Sequence, residues 1–136
     1  MKDILILLLA IASLAAEQID KPYNYSSTGP NSFDCSGLVR YCYLEEADIE
    51  LPHSAKEIGY LEDYEKIEDM DDLTIGDIVC FDTVRDKDLS DHVGIYIGDG
   101  NFVHASSGKG KVIQSSLDEE YYNKRFSWGK RIIDNE

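Results

Sequence analysis

Three side chains in this sequence have the chemistry to activate a thiol: Cys35 in FDCSGLV, His92 in DHVGIYIG and His104 in FVHAS. A thiol is a strong nucleophile only as thiolate, and a nearby imidazole can take its proton and later return it to a leaving amine. A second polar group must hold that imidazole in one tautomer, and a histidine ring can do so because it offers a donor and an acceptor. These residue types predict acyl transfer with Cys35 as nucleophile, His92 as base and His104 as the orienting third member.

The predicted secondary structure can position these residues. Cys35 opens a helix that continues at helical spacing to about Ala47. Backbone N–H groups and the helix dipole at such a start stabilise a thiolate, so we expect the pKa of Cys35 to lie below that of a free thiol. The two histidines fall on neighbouring strands, His92–Gly98 and Asn101–Ala105.

The turn between these strands decides whether the histidines can meet. His92 and His104 must point to the same face of the sheet, and an unbulged hairpin with a two-residue turn would put them on opposite faces. We therefore predict that Ile97 pairs with Asn101. A three-residue loop ending in a left-handed Gly100 would close this register.

The rest of the chain reads as helices followed by strands. A short helix is predicted at Ser54–Tyr60, where Ser54 and Glu57 form a capping box. Further strands are predicted at Asp77–Val84, Lys111–Leu117 and Lys130–Ile133. The acidic stretch 61–72 is interpreted as a solvated helix face plus loop. This order indicates one α+β domain with helices on an antiparallel sheet.

Composition narrows the choice of partners. The 136 residues carry a net charge of −14, which would repel nucleic acid. Three cysteines without C-x2-C spacing offer no zinc motif, and a Cys42–Cys80 disulfide remains open. The basic residues that collect late could form a cationic rim beside an acidic cleft: Lys109, Lys111, Lys124, Arg125, Lys130 and Arg131.

The first sixteen residues allow two interpretations. Residues 4–12 are apolar but too short to span a bilayer, which needs ~20 residues. Their length and the small residues that follow favour a signal peptide, and hence a secreted or extracytoplasmic protein. The alternative is the first helix of the domain. The catalytic domain is then expected at 17–136.

Five sequence blocks together resemble the NlpC family of cell-wall peptidases: PYNY (22–25), DCSGLV (34–39), GDIV (76–79), HVGIY (92–96) and FVHAS (102–106). The resemblance implies a papain-like fold and a D,L-endopeptidase that cuts the bond between γ-D-glutamate and the diamino acid of peptidoglycan stems. It also implies a thioester intermediate and no metal or cofactor. The partners would be peptidoglycan or muropeptide fragments, with no nucleic acid and no membrane span, and we expect a monomer.

The resemblance also suggests residue roles. Cys35, His92 and His104 match the nucleophile, the base and the orienting residue. Tyr23 resembles a tyrosine that helps to bind substrate and the oxyanion, together with the backbone N–H of Cys35. Asp34 and Ser36 match positions that in some members hold the amine of the leading L-alanine, although N-capping of the helix would also explain them.

Three departures from the family pattern bear on specificity: Ser26-Ser27 replaces Gly-Gly, His53 replaces Arg, and Cys80 replaces a frequent Phe. His53, in the LPHS turn, carries no catalytic signal. Two other functions remain open. One is an amidase or acyltransferase on the same scaffold, and the other is a non-catalytic wall-binding or inhibitory domain.

Overall fold

The computed structural model describes residues 3–85 and 89–134 as four helices, a 3-10 turn and one antiparallel sheet. The six strands lie in the order β1-β6-β2-β3-β4-β5. The helices are α1 (Ile4–Glu17), α2 (Cys35–Ala47), α3 (Ala55–Gly59) and α4 (Glu120–Arg125). The strands are β1 (Glu65–Ile67), β2 (Ile78–Phe81), β3 (His92–Gly98), β4 (Asn101–Ser106), β5 (Lys111–Ser116) and β6 (Phe126–Arg131).

The sheet is buried on both faces. Helices α1, α2 and α3 pack on one face, where alternate strand residues such as Ile95 and Val103 join their core. The other face carries an aromatic cluster that includes Phe81, Phe102 and Tyr122 of α4. The predicted α+β class, with helices on an antiparallel sheet, is confirmed.

Helix α2 begins where the sequence predicts and is capped by the residue before it. Asp34 has an extended backbone, and its Oδ1 accepts a hydrogen bond from the N–H of Gly37 at 2.7 Å. Gly37 lets the loop before the helix approach closely, because a Cβ there would lie 2.0 Å from the carbonyl oxygen of Ser27. The cap and the close approach together fix the position of Cys35.

The hairpin β3–β4 has the predicted register but a different turn. Ile95 pairs with Val103, as the prediction requires, yet Gly98 pairs with Asn101. A bulge between Tyr96 and Gly98 reconciles the two pairings. The predicted three-residue loop is therefore wrong, because a two-residue turn with positive φ at positions 99 and 100 closes the hairpin.

Several other predicted elements need correction. The stretch 61–72 is solvated, but it forms edge strand β1 and a 3-10 turn at 70–72 rather than a helix face. Its charges are tolerated there because an edge strand exposes its side chains to water. Strand β2 is shorter than predicted, β6 begins at Phe126 instead of Lys130, and α4 was not predicted. The Ser54 cap is confirmed, since its Oγ accepts from Glu57 N at 3.2 Å.

The cysteines do not pair. Cys35, Cys42 and Cys80 are free thiols, and the last two are fully buried in the core between the helices and the sheet, Cys42 on α2 and Cys80 on β2. The open question of a Cys42–Cys80 disulfide is thus answered: none forms. Both residues act as small core side chains.

The apolar segment at the beginning of the chain is helical. Asp3 caps α1 by accepting from Leu5 N at 2.8 Å, and Ile11 and Ala15 are buried in the core. Leu5 and Ile6 remain more than half exposed. None of the helices within the described residues is long and apolar enough to cross a bilayer. The signal-peptide interpretation stays a prediction.

The Gly-Asp pair of the GDIV block has a structural role. Asp77 is buried, and its carboxylate accepts two hydrogen bonds from the guanidinium of Arg131 at 2.9 and 2.8 Å. Asp77 Oδ2 also accepts from the N–H of Thr74. This bidentate pair ties β6 to the turn that leads into β2.

Substituting Gly94 tests the close approach of β3 to β4. A Cβ at this position would lie 2.8 Å from the carbonyl oxygen of Val103 and 3.0 Å from Cβ of His104. We expect Gly94→Ala to lower the free energy of unfolding by ~1–3 kcal/mol, the usual cost of overpacking. Urea denaturation measures it, and Gly108→Ala is the control because a Cβ there meets no atom closer than 3.9 Å. Equal stability of the two variants would contradict the packing described.

Candidate active site

The two histidines on β3 and β4 are hydrogen-bonded to each other. Nε2 of His92 lies 2.8 Å from Nδ1 of His104. The register that pairs Ile95 with Val103 places Gly94 opposite His104, so His92 is the diagonal neighbour. Without the bulge at the end of β3, the two rings would lie on opposite faces of the sheet.

The contact continues into the interior through β5. Nε2 of His104 lies 2.8 Å from Oγ of Ser115, and both residues are buried. Burial raises the pKa of Tyr122, whereas a hydrogen bond from Ser115 lowers it. The hydroxyl of Ser115 can donate to His104 or accept from it, depending on which ring nitrogen of His104 carries the proton.

One pair of tautomers suits a general base. When His104 carries its proton on Nε2 and accepts at Nδ1, His92 donates from Nε2 and leaves its Nδ1 unprotonated. Sequence reasoning missed Ser115 and Tyr122. Ser115 lies in an alternating strand segment, KVIQSS, where nothing distinguishes it from an ordinary inward-facing serine.

Aromatic packing surrounds the pair and keeps both rings neutral. His104 contacts Phe102 and Tyr122 at centroid distances of 4.6 and 5.2 Å, and His92 contacts Phe81 at 6.1 Å. Burial lowers the pKa of His92 to about 4, although Asp91 acts in the opposite direction. Burial also lowers the pKa of His104, and its neighbour His92 lowers it further. A neutral imidazole is the state that can accept a proton.

Cys35 lies at the first turn of α2, beside the beginning of β3. Burial raises the pKa of its thiol to about 11, and the backbone N–H of Val93, next to His92 in the chain, is the main opposing influence. Asp34 raises the pKa further, while the N–H groups of Ser36 and Cys35 itself lower it. The prediction that the pKa of Cys35 lies below that of a free thiol is therefore wrong for the resting site. Desolvation raises this pKa by more than the N–H groups at the helix start lower it.

Tyr23, Asp34 and Ser36 border the thiol on the side of the loop before α2. Burial raises the pKa of Tyr23, and the next largest causes are Cys35 and Asp34, which places its hydroxyl near both. Ser36 Oγ donates to Asp34 Oδ1 at 3.4 Å, a long hydrogen bond. Asp34 thus caps the helix and also presents negative charge beside Cys35 and Tyr23.

His53 is a further member of this group that sequence reasoning missed. Its Nε2 lies 3.0 Å from each carboxylate oxygen of Asp34. The segment that carries it is held against α2 because the guanidinium of Arg40 donates to the carbonyl oxygen of Leu51 at 2.9 Å. One sequence signal could have pointed to His53: it lies in the LPHS turn, where the family that this sequence resembles has arginine.

The Ser26-Ser27 departure has a conformational meaning. Ser26 has φ of 66°, in the left-handed region that favours glycine. A glycine at this position would adopt it without steric cost, which accounts for the residue type in the resembling family. Ser27 binds the loop instead, since its Oγ lies 2.6 Å from that of Ser32.

An open cleft of about 460 Å³ begins at the histidine pair. His92 and His104 form one border, and the β4–β5 turn with Lys109 forms another. Glu119 and Tyr121 lie along the side next to α4. Tyr23, Asp34 and His53 do not line this cleft. Across the described ranges, no group of three or more His, Cys, Asp or Glu side chains could hold a metal ion.

The sequence profile of the NlpC/P60 family matches residues 20–131, which include all the side chains described above. This chain belongs to the NlpC/P60 family. The match spans the chain from the loop before α2 to the end of β6, so it contains the candidate site and all six strands, while α1 precedes it.

Curated NlpC/P60 relatives include two from Escherichia coli strain K12. One, named murein DD-endopeptidase MepH, is 36% identical over 118 residues, covering 86% of this chain and 43% of its own length. The other, named murein DD-endopeptidase MepS/murein LD-carboxypeptidase, is 36% identical over 111 residues, covering 82% and 55%. This chain spans about half the length of these relatives.

A solved structure shows the same architecture. NlpC2 from Trichomonas vaginalis superposes with a TM-score of 0.83 at 30% sequence identity, covering 95% of this chain and 47% of that one. The papain-like α+β arrangement expected from the sequence is therefore confirmed at the level of fold.

The pKa of Cys35 can be tested by alkylation. Because burial raises it to about 11, the thiolate fraction should be small at pH 7 and should still rise above pH 9. We expect iodoacetamide to label folded Cys35 more slowly than an unstructured cysteine peptide at pH 8, as followed by intact mass spectrometry. Cys42 and Cys80 are fully buried and should stay unlabelled. A labelling rate that reaches its plateau below pH 7 would show a thiolate paired with imidazolium instead.

Proposed function

We propose that this chain is a cysteine endopeptidase that hydrolyses peptidoglycan stem peptides. The observation that supports it best is that the Cys35 thiol, at the start of α2, lies beside the beginning of β3, where His92 is hydrogen-bonded to His104. Family membership supports the substrate class, since both bacterial relatives above are named murein endopeptidases.

The reaction begins with a neutral thiol and a neutral imidazole. As Sγ of Cys35 attacks the peptide carbonyl carbon, its proton passes to Nδ1 of His92, the ring nitrogen that His104 leaves free. The positive charge on His92 is stabilised by the hydrogen bond from its Nε2–H to His104. Charge therefore appears only while substrate fills the site, because burial opposes a standing ion pair.

The attack gives a tetrahedral intermediate, which then collapses to a thioester. The carbon–nitrogen bond breaks, the imidazolium of His92 gives its proton to the leaving amine, and the acyl group remains on Cys35. A water molecule next attacks the thioester carbon and loses a proton to His92. The thiol is restored when that proton returns to the departing sulfur. No metal or cofactor takes part in this scheme.

The developing oxyanion needs donors near Cys35. The backbone N–H of Cys35 is one of the first N–H groups of α2, which have no partner within the helix. The hydroxyl of Tyr23 is the second candidate, because it lies near Cys35 and its raised pKa keeps it protonated as a donor.

The group around Asp34 suits an amine on the acyl side of the scissile bond. Its carboxylate lies beside the nucleophile, Ser36 adds a hydroxyl, and His53 contacts both carboxylate oxygens. A free L-alanine amine lies one residue before the γ-D-glutamyl group, so this feature favours the γ-D-glutamyl–diamino acid bond. The enzyme would then be a D,L-endopeptidase acting on stem peptides released from the glycan.

A second candidate bond comes from the relatives. MepH and MepS are both named DD-endopeptidases, a name that points to cross-links between stems. The same thiol–imidazole chemistry would cleave either bond. In both cases the reaction takes place outside the cytoplasmic membrane, where peptidoglycan is found, and we propose that the protein acts there as a monomer.

Mass spectrometry of muropeptides separates these possibilities. Incubation of the protein with free stem peptides should release L-alanyl-γ-D-glutamate if the first bond is cut, and incubation with cross-linked muropeptides should yield monomers from dimers if the second is cut. We expect Cys35→Ala to abolish cleavage completely, because the alanine side chain cannot form a thioester.

The two buried cysteines provide matched controls for that variant. Cys42→Ala and Cys80→Ala should retain cleavage, since each removes a fully buried thiol of the core. Circular dichroism and thermal unfolding check that all three variants fold. Turnover by folded Cys35→Ala would exclude the nucleophile, and a wild-type protein that binds muropeptides without cutting them would indicate a wall-binding domain.

A further inference from the structure

We propose that the cleft beside His92 and His104 binds the leaving group, and that it selects a diamino acid whose far end carries both a carboxylate and an ammonium group. This proposal rests on the endopeptidase function proposed above. The features that carry it are the position of the cleft and the two opposite charges, Lys109 and Glu119, on its borders.

The position follows from where the proton must go. The leaving amine takes its proton from His92, so it must lie within hydrogen-bond reach of that ring. The cleft begins at this ring, whereas Tyr23 and Asp34 lie outside its lining. The residue attached to the leaving amine therefore extends into the cleft, and the acyl part of the substrate occupies the side of Asp34.

The leaving residue is a diamino acid in both candidate bonds. Cleavage after γ-D-glutamate releases its main-chain amine, and cleavage of a cross-link releases its side-chain amine. A cleft of about 460 Å³ is within the usual range for small-ligand sites and can hold the whole residue. The far end differs between the two cases, because in a cross-link its amine is acylated by γ-D-glutamate. The proposed selection of a charged far end therefore applies to cleavage of the γ-D-glutamyl–diamino acid bond.

Lys109 supplies a cation for a substrate carboxylate. Among the described residues that line the cleft, it is the one lysine or arginine. The next lysine, Lys111, is paired with Asp20 at 3.0 Å, and Lys124 is paired with Glu120 at 2.7 Å. In a chain with a net charge of −14, this cation locally offsets the repulsion that a carboxylate would otherwise meet. Of the six basic residues between positions 109 and 131 that were expected to form a cationic rim, Lys109 is the one that borders the cleft.

Glu119 supplies the opposite charge. Its Oε2 accepts a hydrogen bond from the N–H of Ser116 at 2.8 Å, which anchors the side chain before α4 and leaves Oε1 for a ligand. A carboxylate and an ammonium on the borders of one cleft match a zwitterionic amino-acid end. Diaminopimelate has such an end, while lysine has the ammonium alone.

Two synthetic stem peptides test the proposal: L-alanyl-γ-D-glutamyl-meso-diaminopimelate and the same peptide with L-lysine in the third position. They differ by one carboxylate. We expect kcat/KM to be about tenfold higher for the diaminopimelate peptide, the size of effect that one charge-assisted hydrogen bond provides. Lys109→Gln should remove this preference by lowering kcat/KM for the diaminopimelate peptide to about that of the lysine peptide.

Lys111→Gln is the matched control, because this lysine lies close by in the chain but is paired with Asp20 away from the cleft. It should leave both rates unchanged. Equal wild-type rates for the two peptides, or a Lys109→Gln preference equal to that of wild type, would overturn the subsite while the endopeptidase function stands. Cleavage of neither peptide would exclude the γ-D-glutamyl–diamino acid bond as the target and overturn this subsite with it, whereas the cross-link assay above tests the endopeptidase function separately.

Discussion

The hydrogen bond between His92 and His104 is the constraint on which the rest of the site depends. Its 2.8 Å length requires neighbouring strands whose side chains share a face, and that sharing depends on one extra residue in β3. The bulge before Gly98 changes the pairing between the turn and the middle of the hairpin. One bulge near the turn of the hairpin therefore brings together two imidazoles that lie farther along its strands.

Burial determines how the site can work. The aromatic face around His104 and the packed start of α2 both disfavour charge, so the thiol and the imidazole are neutral at rest. In the mechanism that we propose, the thiol is activated only in the substrate-bound state, in which the proton moves as the carbon–sulfur bond forms. The same burial protects the thiol, since a neutral sulfur reacts slowly with oxidants and alkylating agents.

The sequence predicted the parts of this protein that depend on local signals. The N-cap at Asp34, the extents of α2 and β3, and the shared face of the two histidines follow from spacing and residue type. Strand β1 and helix α4 were missed because the charges of the first resemble a solvated helix, and the second has no apolar stripe of its own. Both are stabilised by tertiary contacts that a local pattern does not contain.

The candidate site was predicted less completely than the fold. Cys35, His92 and His104 are distinctive residue types in distinctive contexts, whereas Ser115 and His53 acquire their importance only from what they touch. The direction of the thiol pKa was also predicted wrongly. A helix start can be read from sequence, but the depth to which a side chain is buried cannot.

The protonation of the two imidazoles is the most direct test of this account, and long-range ¹H–¹⁵N NMR of histidine-labelled protein measures it. Gln variants of His53, His92 and His104 would assign the three rings. We predict that at pH 6 both His92 and His104 are neutral, and that each carries its proton on Nε2. A charged His92, or a neutral His92 with its proton on Nδ1, would contradict the account because that ring could not then accept the proton of Cys35.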